Sequence, residues 1–127
     1  GAGVESENHM VEDIRKQTSV PILNLAGKTN IPELVALLKN ARLVISIDTG
    51  PGHLAQALKV PTVLIFGHTN PLRVGPYRRP ENVAAVNPTL RGSAIESSNS
   101  AYAIIHVTEQ IVWEKCTQVL AQSAEKQ

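Results

Sequence analysis

Between residues 43 and 58 the alternation of apolar and polar positions changes character. An apolar run, Leu43 to Ile47, stops at Asp48-Thr49-Gly50-Pro51-Gly52-His53, and Leu54, Ala55, Ala57 and Leu58 then follow at helical spacing. An apolar run closed by turn residues and followed by a 3.6-residue period predicts a strand, a tight turn and a helix N-terminus. Upstream, Met10, Val11 and Ile14 mark one face of a helix from about Ser6 to Gln17, with its charges on a solvated side. Val20 to Leu25 reads as a short strand, with Pro21 near its start where a missing N–H is tolerated. Ile31, Leu34, Val35, Leu37 and Leu38 predict the core face of a second helix, capped by Thr29 or Asn30, with Pro32 in its first turn.

Downstream, Thr62 to Phe66 predicts another buried strand and Val83 to Val86 a brief one. Asn87 to Ser100 is small and polar and predicts a mobile loop. A last helix is expected over Val107 to Leu120, capped by Thr108 and packed through Ile111, Val112, Val119 and Leu120, with Trp113 at its edge and a fraying tail. Strand, helix, strand, helix, strand, with runs apolar on both faces, predicts an α/β domain with a right-handed parallel sheet.

At 127 residues the chain is expected to be one domain. The opening Gly1-Ala2-Gly3 followed by Val4 resembles the exit from a strand, so a cut inside a longer protein is expected. A net charge of +1 removes the electrostatic case for nucleic acid or a membrane surface. The single cysteine, Cys116, excludes an intramolecular disulfide framework and multi-cysteine metal sites, and its apolar helix predicts a buried thiol. No apolar run approaches the roughly 20 residues needed to cross a bilayer, so a soluble, cytosolic chain is expected. The histidines His9, His53, His68 and His106 are dispersed, and no metal site is expected.

In an open parallel sheet, ligands bind beyond the carboxyl ends of the strands, where the next helix offers unpaired N–H groups. The Asp48 turn has that position. Glycines at 50 and 52 would let a diphosphate approach the backbone, with the N–H groups of Thr49, Gly50, Gly52 and His53 as donors. Asp48 would repel phosphate but suits sugar hydroxyls, so the division of labour points to a nucleotide sugar. The structural alternative is that Asp48 or Thr49 merely caps the helix and the glycines merely permit the turn.

Gly67-His68-Thr69-Asn70-Pro71 leaves its strand on the same sheet edge, so His68 and Thr69 are candidates to line the crevice; an exposed loop histidine is the alternative. Arg73, Arg78 and Arg79 could meet anions or simply face water. Gly27-Lys28-Thr29 is not a P-loop, because that motif needs glycine where Ile22 stands, and Lys28 can be a plain loop cation.

Four segments together resemble the carboxyl-terminal domain of glycosyltransferase family 9, the ADP-heptose:lipopolysaccharide heptosyltransferases. They are Asn24 to Thr29, Leu34 to Ala41, Asp48 to Ala55 and Phe66 to Pro71, and they span most of residues 1–86. Asp-Thr-Gly-x-x-His followed at this distance by Phe-Gly-x-Thr-x-Pro is more specific than either piece alone. The final helix resembles that family's last helix more weakly.

The resemblance implies a GT-B architecture of two Rossmann-like domains, with residues 1–127 as part of the nucleotide-sugar half: an open parallel sheet with helices on both faces. It implies an ADP-heptose donor, transfer to the lipopolysaccharide inner core with inversion, no cofactor or essential metal, and action in the cytoplasm, extending to the cytoplasmic face of the inner membrane. Asp48 would meet the sugar, and Thr49, Gly50, Gly52 and His53 the diphosphate. Gly27, Lys28 and Thr29 would lie near the nucleoside, with Glu5, or Glu7, reaching the ribose.

The general base and acceptor site belong to the family's amino-terminal domain and the phosphate-binding lysine precedes residue 1, so no catalytic residue is expected here. Gly52 stands where a larger residue is commoner, and Arg91 to Ser100 replaces a cysteine-rich stretch of some members. Two other readings remain: a non-catalytic nucleotide-binding or interaction module, and a fragment of an actin-like sugar kinase, whose Asp-Thr-Gly sits in a β-hairpin rather than before a helix.

Overall fold

The computed structural model describes residues 4–125, so the Gly1-Ala2-Gly3 opening lies outside the described residues. Two compact units divide between Leu34 and Val35.

In the first unit, α1 spans Val4–Lys16, with Glu5 and Glu7 in its first turn and Arg15 and Lys16 in its last, as the helix dipole favours. Its exposed pairs, Arg15 with Glu12 at 3.0 Å and Lys16 with Asp13 at 3.1 Å, contribute a few tenths of a kcal/mol each. The expected strand over Val20 to Leu25 does not form: among the described residues this stretch joins no ladder, and Val20 and Leu23 are exposed. An apolar run becomes a strand only when its backbone finds a partner edge, and Pro21 removes one donor. Asn24 organises the stretch instead, donating to Asn8 Oδ1 at 2.8 Å and accepting from the Ala26 N–H at 3.0 Å.

The helix α2, Ile31–Asn40, runs across the division. Of its two predicted caps Asn30 serves: its side chain accepts from the Glu33 N–H at 2.9 Å, and Glu33 Oε2 accepts from the Asn30 N–H at 2.9 Å. This reciprocal capping box satisfies two otherwise unpaired donors. The predicted core face is only partly buried, with Leu38 inside and Ile31 and Leu37 exposed.

The second unit carries the sheet. Strands β1 (Val44–Ile47), β2 (Thr62–Ile65) and β3 (Val83–Ala84) lie in the order β1-β2-β3, all parallel. Val44 sits beside Thr62, Ile47 beside Ile65 and Leu64 beside Val83. The helices are α3 (Gly50–Ala57), the single-turn α4 (Pro71–Val74) and α5 (Glu109–Ala124).

Alternation along β2 sets the layers. Val63 and Ile65 pack with Ala84 against Cys116, Val119, Ile111 and Val112 of α5. Leu64 and Phe66 face the other way, onto Val83, Ala85 and Val74, and Gly52 of α3 lies on that side against Leu64. The sheet is thus open and parallel with helices on both faces, as the sequence predicts.

Three details differ from expectation. The helix α5 continues to Ala124 instead of fraying after Leu120, and Trp113 is exposed. Thr108 is its N-cap, as predicted, with its side chain accepting from the Ile111 N–H at 3.4 Å. The stretch from Asn87 to Ser100 is anchored, because Asn70 and Arg91 are buried and bond its carbonyls or reach out from it.

Candidate functional site

The site is built where β1 hands the chain to α3. Thr49 occupies the N-cap in an extended conformation, but its side chain makes no capping hydrogen bond. Its hydroxyl lies 3.2 Å from Ser46 Oγ and 3.4 Å from the Ile47 carbonyl oxygen. Asp48 does not cap either: its Oδ1 bonds His53 Nε2 at 2.7 Å. The capping alternative is therefore not what these side chains do, and the N–H groups of Gly50 and Gly52 have no hydrogen-bond partner among the described residues. With the helix dipole behind them, two such donors favour an anion.

One expectation about this turn needs correction. The His53 N–H is not a free donor, because it bonds the Thr49 carbonyl at 3.2 Å in the first helical bond of α3. Pro51 is the second helical residue, since α3 begins at Gly50. Its missing N–H would be unpaired there in any case.

The glycines play different parts. A Cβ on Gly50 would meet nothing within 4 Å, so its side of the turn is open. A Cβ on Gly52 would lie 2.5 Å from Leu64 Cδ2 and 3.0 Å from Ser46 Cβ. Gly52 thus lets α3 press against β1 and β2, and the expectation that it clears a path for ligand is corrected; only its N–H faces that task.

Asp48 has its side chain 20% exposed and His53 44%, so the carboxylate is partly shielded and the imidazole reaches solvent. The bond between them orients Asp48 and leaves its second oxygen to accept from elsewhere.

Beyond β2, the His68 carbonyl accepts from the Ser97 N–H at 3.1 Å, and Thr69 forms an antiparallel bridge with Glu96. His68 Nδ1 lies 2.8 Å from the Ser97 carbonyl oxygen, while the residue stays exposed. Because β1 and β2 are parallel and Ile47 sits beside Ile65, the Asp48 turn and the His68 loop leave the same end of the sheet. A cavity of about 500 Å³ lined by Ala85, Val86, Asn87, Ala101, His106 and Ile111 opens past the end of β3.

Glu5, Gly27, Lys28 and Thr29 belong to the first unit. Glu5 is exposed in the first turn of α1. Gly27 has φ 68°, a left-handed value that suits glycine, in a turn closed by the Lys28 N–H bonding the Leu25 carbonyl at 3.0 Å. Lys28 Nζ bonds the Asn24 carbonyl at 3.2 Å, and Thr29 is half-buried.

Asn70 and Arg91 escaped sequence reasoning. Asn70 caps α4, accepting from the Leu72 N–H at 3.0 Å, a role the Asn-Pro pair signals. Arg91 gave no signal, being one cation in a polar stretch. Desolvation pushes its guanidinium pKa down, with charge interaction with the Tyr102 phenol group opposing that shift. Among the described residues no group of three or more histidine, cysteine or acidic side chains could hold a metal ion, and no helix is long and apolar enough to cross a membrane.

The sequence model of glycosyltransferase family 9 (heptosyltransferase) matches residues 2–103. The lipopolysaccharide core heptosyltransferase OpsX of Haemophilus influenzae is 39% identical over 80 residues, covering 63% of this chain and 23% of that protein. Lipopolysaccharide heptosyltransferase 3 of Escherichia coli K12 is 52% identical over 50 residues, 39% of this chain and 14% of the relative. Lipooligosaccharide heptosyltransferase 2 of H. influenzae is 29% identical over 125 residues, 94% of this chain and 34% of the relative. The chain thus spans about a third or less of these relatives. No solved structure matches it significantly.

Proposed function

Because the chain belongs to glycosyltransferase family 9, we propose that it is the donor-binding portion of a heptosyltransferase that carries a heptose from ADP-heptose to the lipopolysaccharide inner core. The diphosphate bonds the N–H groups of Gly50 and Gly52 at the start of α3, where the helix dipole offsets part of its charge. Thr49 supplies the cap residue's backbone and leaves those donors free. Asp48, turned by His53, accepts from sugar hydroxyls through its second oxygen. His68 and Thr69 line the same crevice. No metal is needed, since N–H groups meet the phosphate charge.

The observation that carries this reading is the uncapped start of α3: the two side chains placed to cap it are turned elsewhere, and Asp48 is held as a hydrogen-bond acceptor beside it. The 127-residue chain binds donor without turning it over, since transfer also requires an acceptor and a base held against the sugar. Titration calorimetry with ADP-heptose, ADP and ATP tests the reading. Binding of ADP and tighter binding of ADP-heptose are expected. ATP binding alone would favour a sugar kinase, and no nucleotide binding an interaction module.

A further inference from the structure

Arg91 is 6% exposed and Asn70 1%. Among the described residues Arg91 has no carboxylate partner. Its charge is instead met by carbonyls: Nε and Nη2 donate to Val86 at 3.1 and 2.8 Å, and Nη1 donates to Gly67 at 2.6 Å. The guanidinium also lies 4.0 Å from the centre of the Tyr102 ring, whose hydroxyl donates to the Leu90 carbonyl at 3.2 Å. Gly67 stands two residues past the end of β2 and Val86 two past the end of β3. One side chain therefore ties together the carboxyl ends of two neighbouring strands. A buried charge stays there only while such partners persist, so the tie is specific in geometry.

What the tie holds is the loop that begins at Gly67. Asn70 closes the far end of that loop, donating through Nδ2 to the Gly92 and Ala94 carbonyls at 3.1 and 2.7 Å. Between them, His68 meets the Ser97 carbonyl through Nδ1. A carbonyl oxygen only accepts, so Nδ1 carries the proton and Nε2 of the neutral ring is a bare acceptor. Asp48, leaving the adjacent strand at the same sheet end, also presents an acceptor. Two acceptors suit a ligand rich in hydroxyl donors and not a phosphate.

We propose that Arg91 is a positioning residue that fixes the loop after β2 so that His68 offers Nε2 to a hydroxyl of the transferred sugar, an inference that rests on the nucleotide-sugar reading above. The test uses the 127-residue chain in two parts. Imidazole nitrogen NMR at pH 8 should show His68 protonated at Nδ1. In Arg91→Met, folded by its amide spectrum, the His68 signals should move toward a mixture of tautomers, with partial recovery in Arg91→Lys. Should Arg91→Met fail to fold, Tyr102→Leu, which removes the stacked ring together with its hydroxyl's bond to Leu90 but leaves the guanidinium in place, should loosen the tautomer in the same direction.

In calorimetry, His68→Ala should weaken ADP-heptose about fivefold and leave ADP unchanged, with His68→Gln recovering part of the loss. A dominant Nε2–H tautomer, a wild-type ring spectrum in the folded Arg91 or Tyr102 variants, or equal effects of His68→Ala on both ligands would overturn the proposal. If those signs fail while wild type binds both ligands, only this inference falls. If wild type binds neither ligand, the nucleotide-sugar reading falls and the sugar contact with it, whatever the ring spectra show.

Discussion

Gly52 and Gly50 sit two residues apart in one turn, and the fold demands only one of them. In Gly52→Val the Cβ would stand 2.5 Å from Leu64 Cδ2, more than ~1 Å inside the roughly 3.5–4.0 Å optimum for carbon contacts. Leu64 is fully buried, so it cannot swing into solvent, and Ser46 Cβ at 3.0 Å blocks the other side. Overpacking of this kind costs about 1–3 kcal/mol, and the valine methyls push toward the upper end. Relief of glycine's poor helix propensity returns less than ~1 kcal/mol. A net loss of about 2 kcal/mol remains, a fall in Tm on the order of 8 °C for a chain of this size. Gly50→Ala, with nothing within 4 Å of its Cβ, should hold Tm or raise it slightly while weakening ADP severalfold. Thermal unfolding by circular dichroism, with calorimetry on the same samples, measures both. Equal Tm values for Gly52→Val and wild type, or a larger Tm loss in Gly50→Ala, would refute the assignment of Gly52 to packing.

Asp48→Asn should keep the fold and ADP affinity but weaken ADP-heptose by about 1.5–3 kcal/mol, the worth of a hydrogen bond to a charged acceptor; calorimetry showing equal losses for both ligands would misplace the sugar. Lys59 closes α3 with φ 61°, where the Lys59 and Val60 N–H groups bond the Gln56 and Ala55 carbonyls at 2.9 and 3.0 Å; Lys59→Gly should raise stability by roughly 0.5–1 kcal/mol in urea unfolding, through relief of the left-handed backbone. Burial pushes the Cys116 thiol pKa up. The folded state therefore holds that proton longer than the unfolded state does: the stability it contributes is intact below the ordinary thiol pKa and is lost as pH rises toward the raised value. A Cys116→Ala variant should show a flatter alkaline limb in a stability-against-pH series.

The Asp48 turn was legible because its signals are local. An apolar run, two turn glycines, a proline and a helical period lie within sixteen residues, and each constrains the backbone where it stands. Val20 to Leu25 carries an equally apolar pattern, yet a strand needs a partner edge, and that information is not in the segment. Gly52 was legible as a glycine but not in its purpose, since a missing Cβ reads the same whether it admits a ligand or a neighbouring strand. Polar composition between Asn87 and Ser100 suggested mobility, but a buried side chain can order a polar loop from within. Arg91 does so through contacts with Gly67 and Val86, twenty-four and five residues away. Asn70, by contrast, was half-visible in the Asn-Pro pair that starts α4.

The central claim is that the start of α3 receives the diphosphate, and amide chemical-shift mapping of the 127-residue chain tests it most directly. On titration with ADP-heptose, the Gly50 and Gly52 amides should shift furthest, with His53 and His68 ring signals following, and ADP alone should move the two glycine amides but not the rings. Saturating shifts confined to other parts of the chain, with Gly50 and Gly52 unmoved, would contradict it.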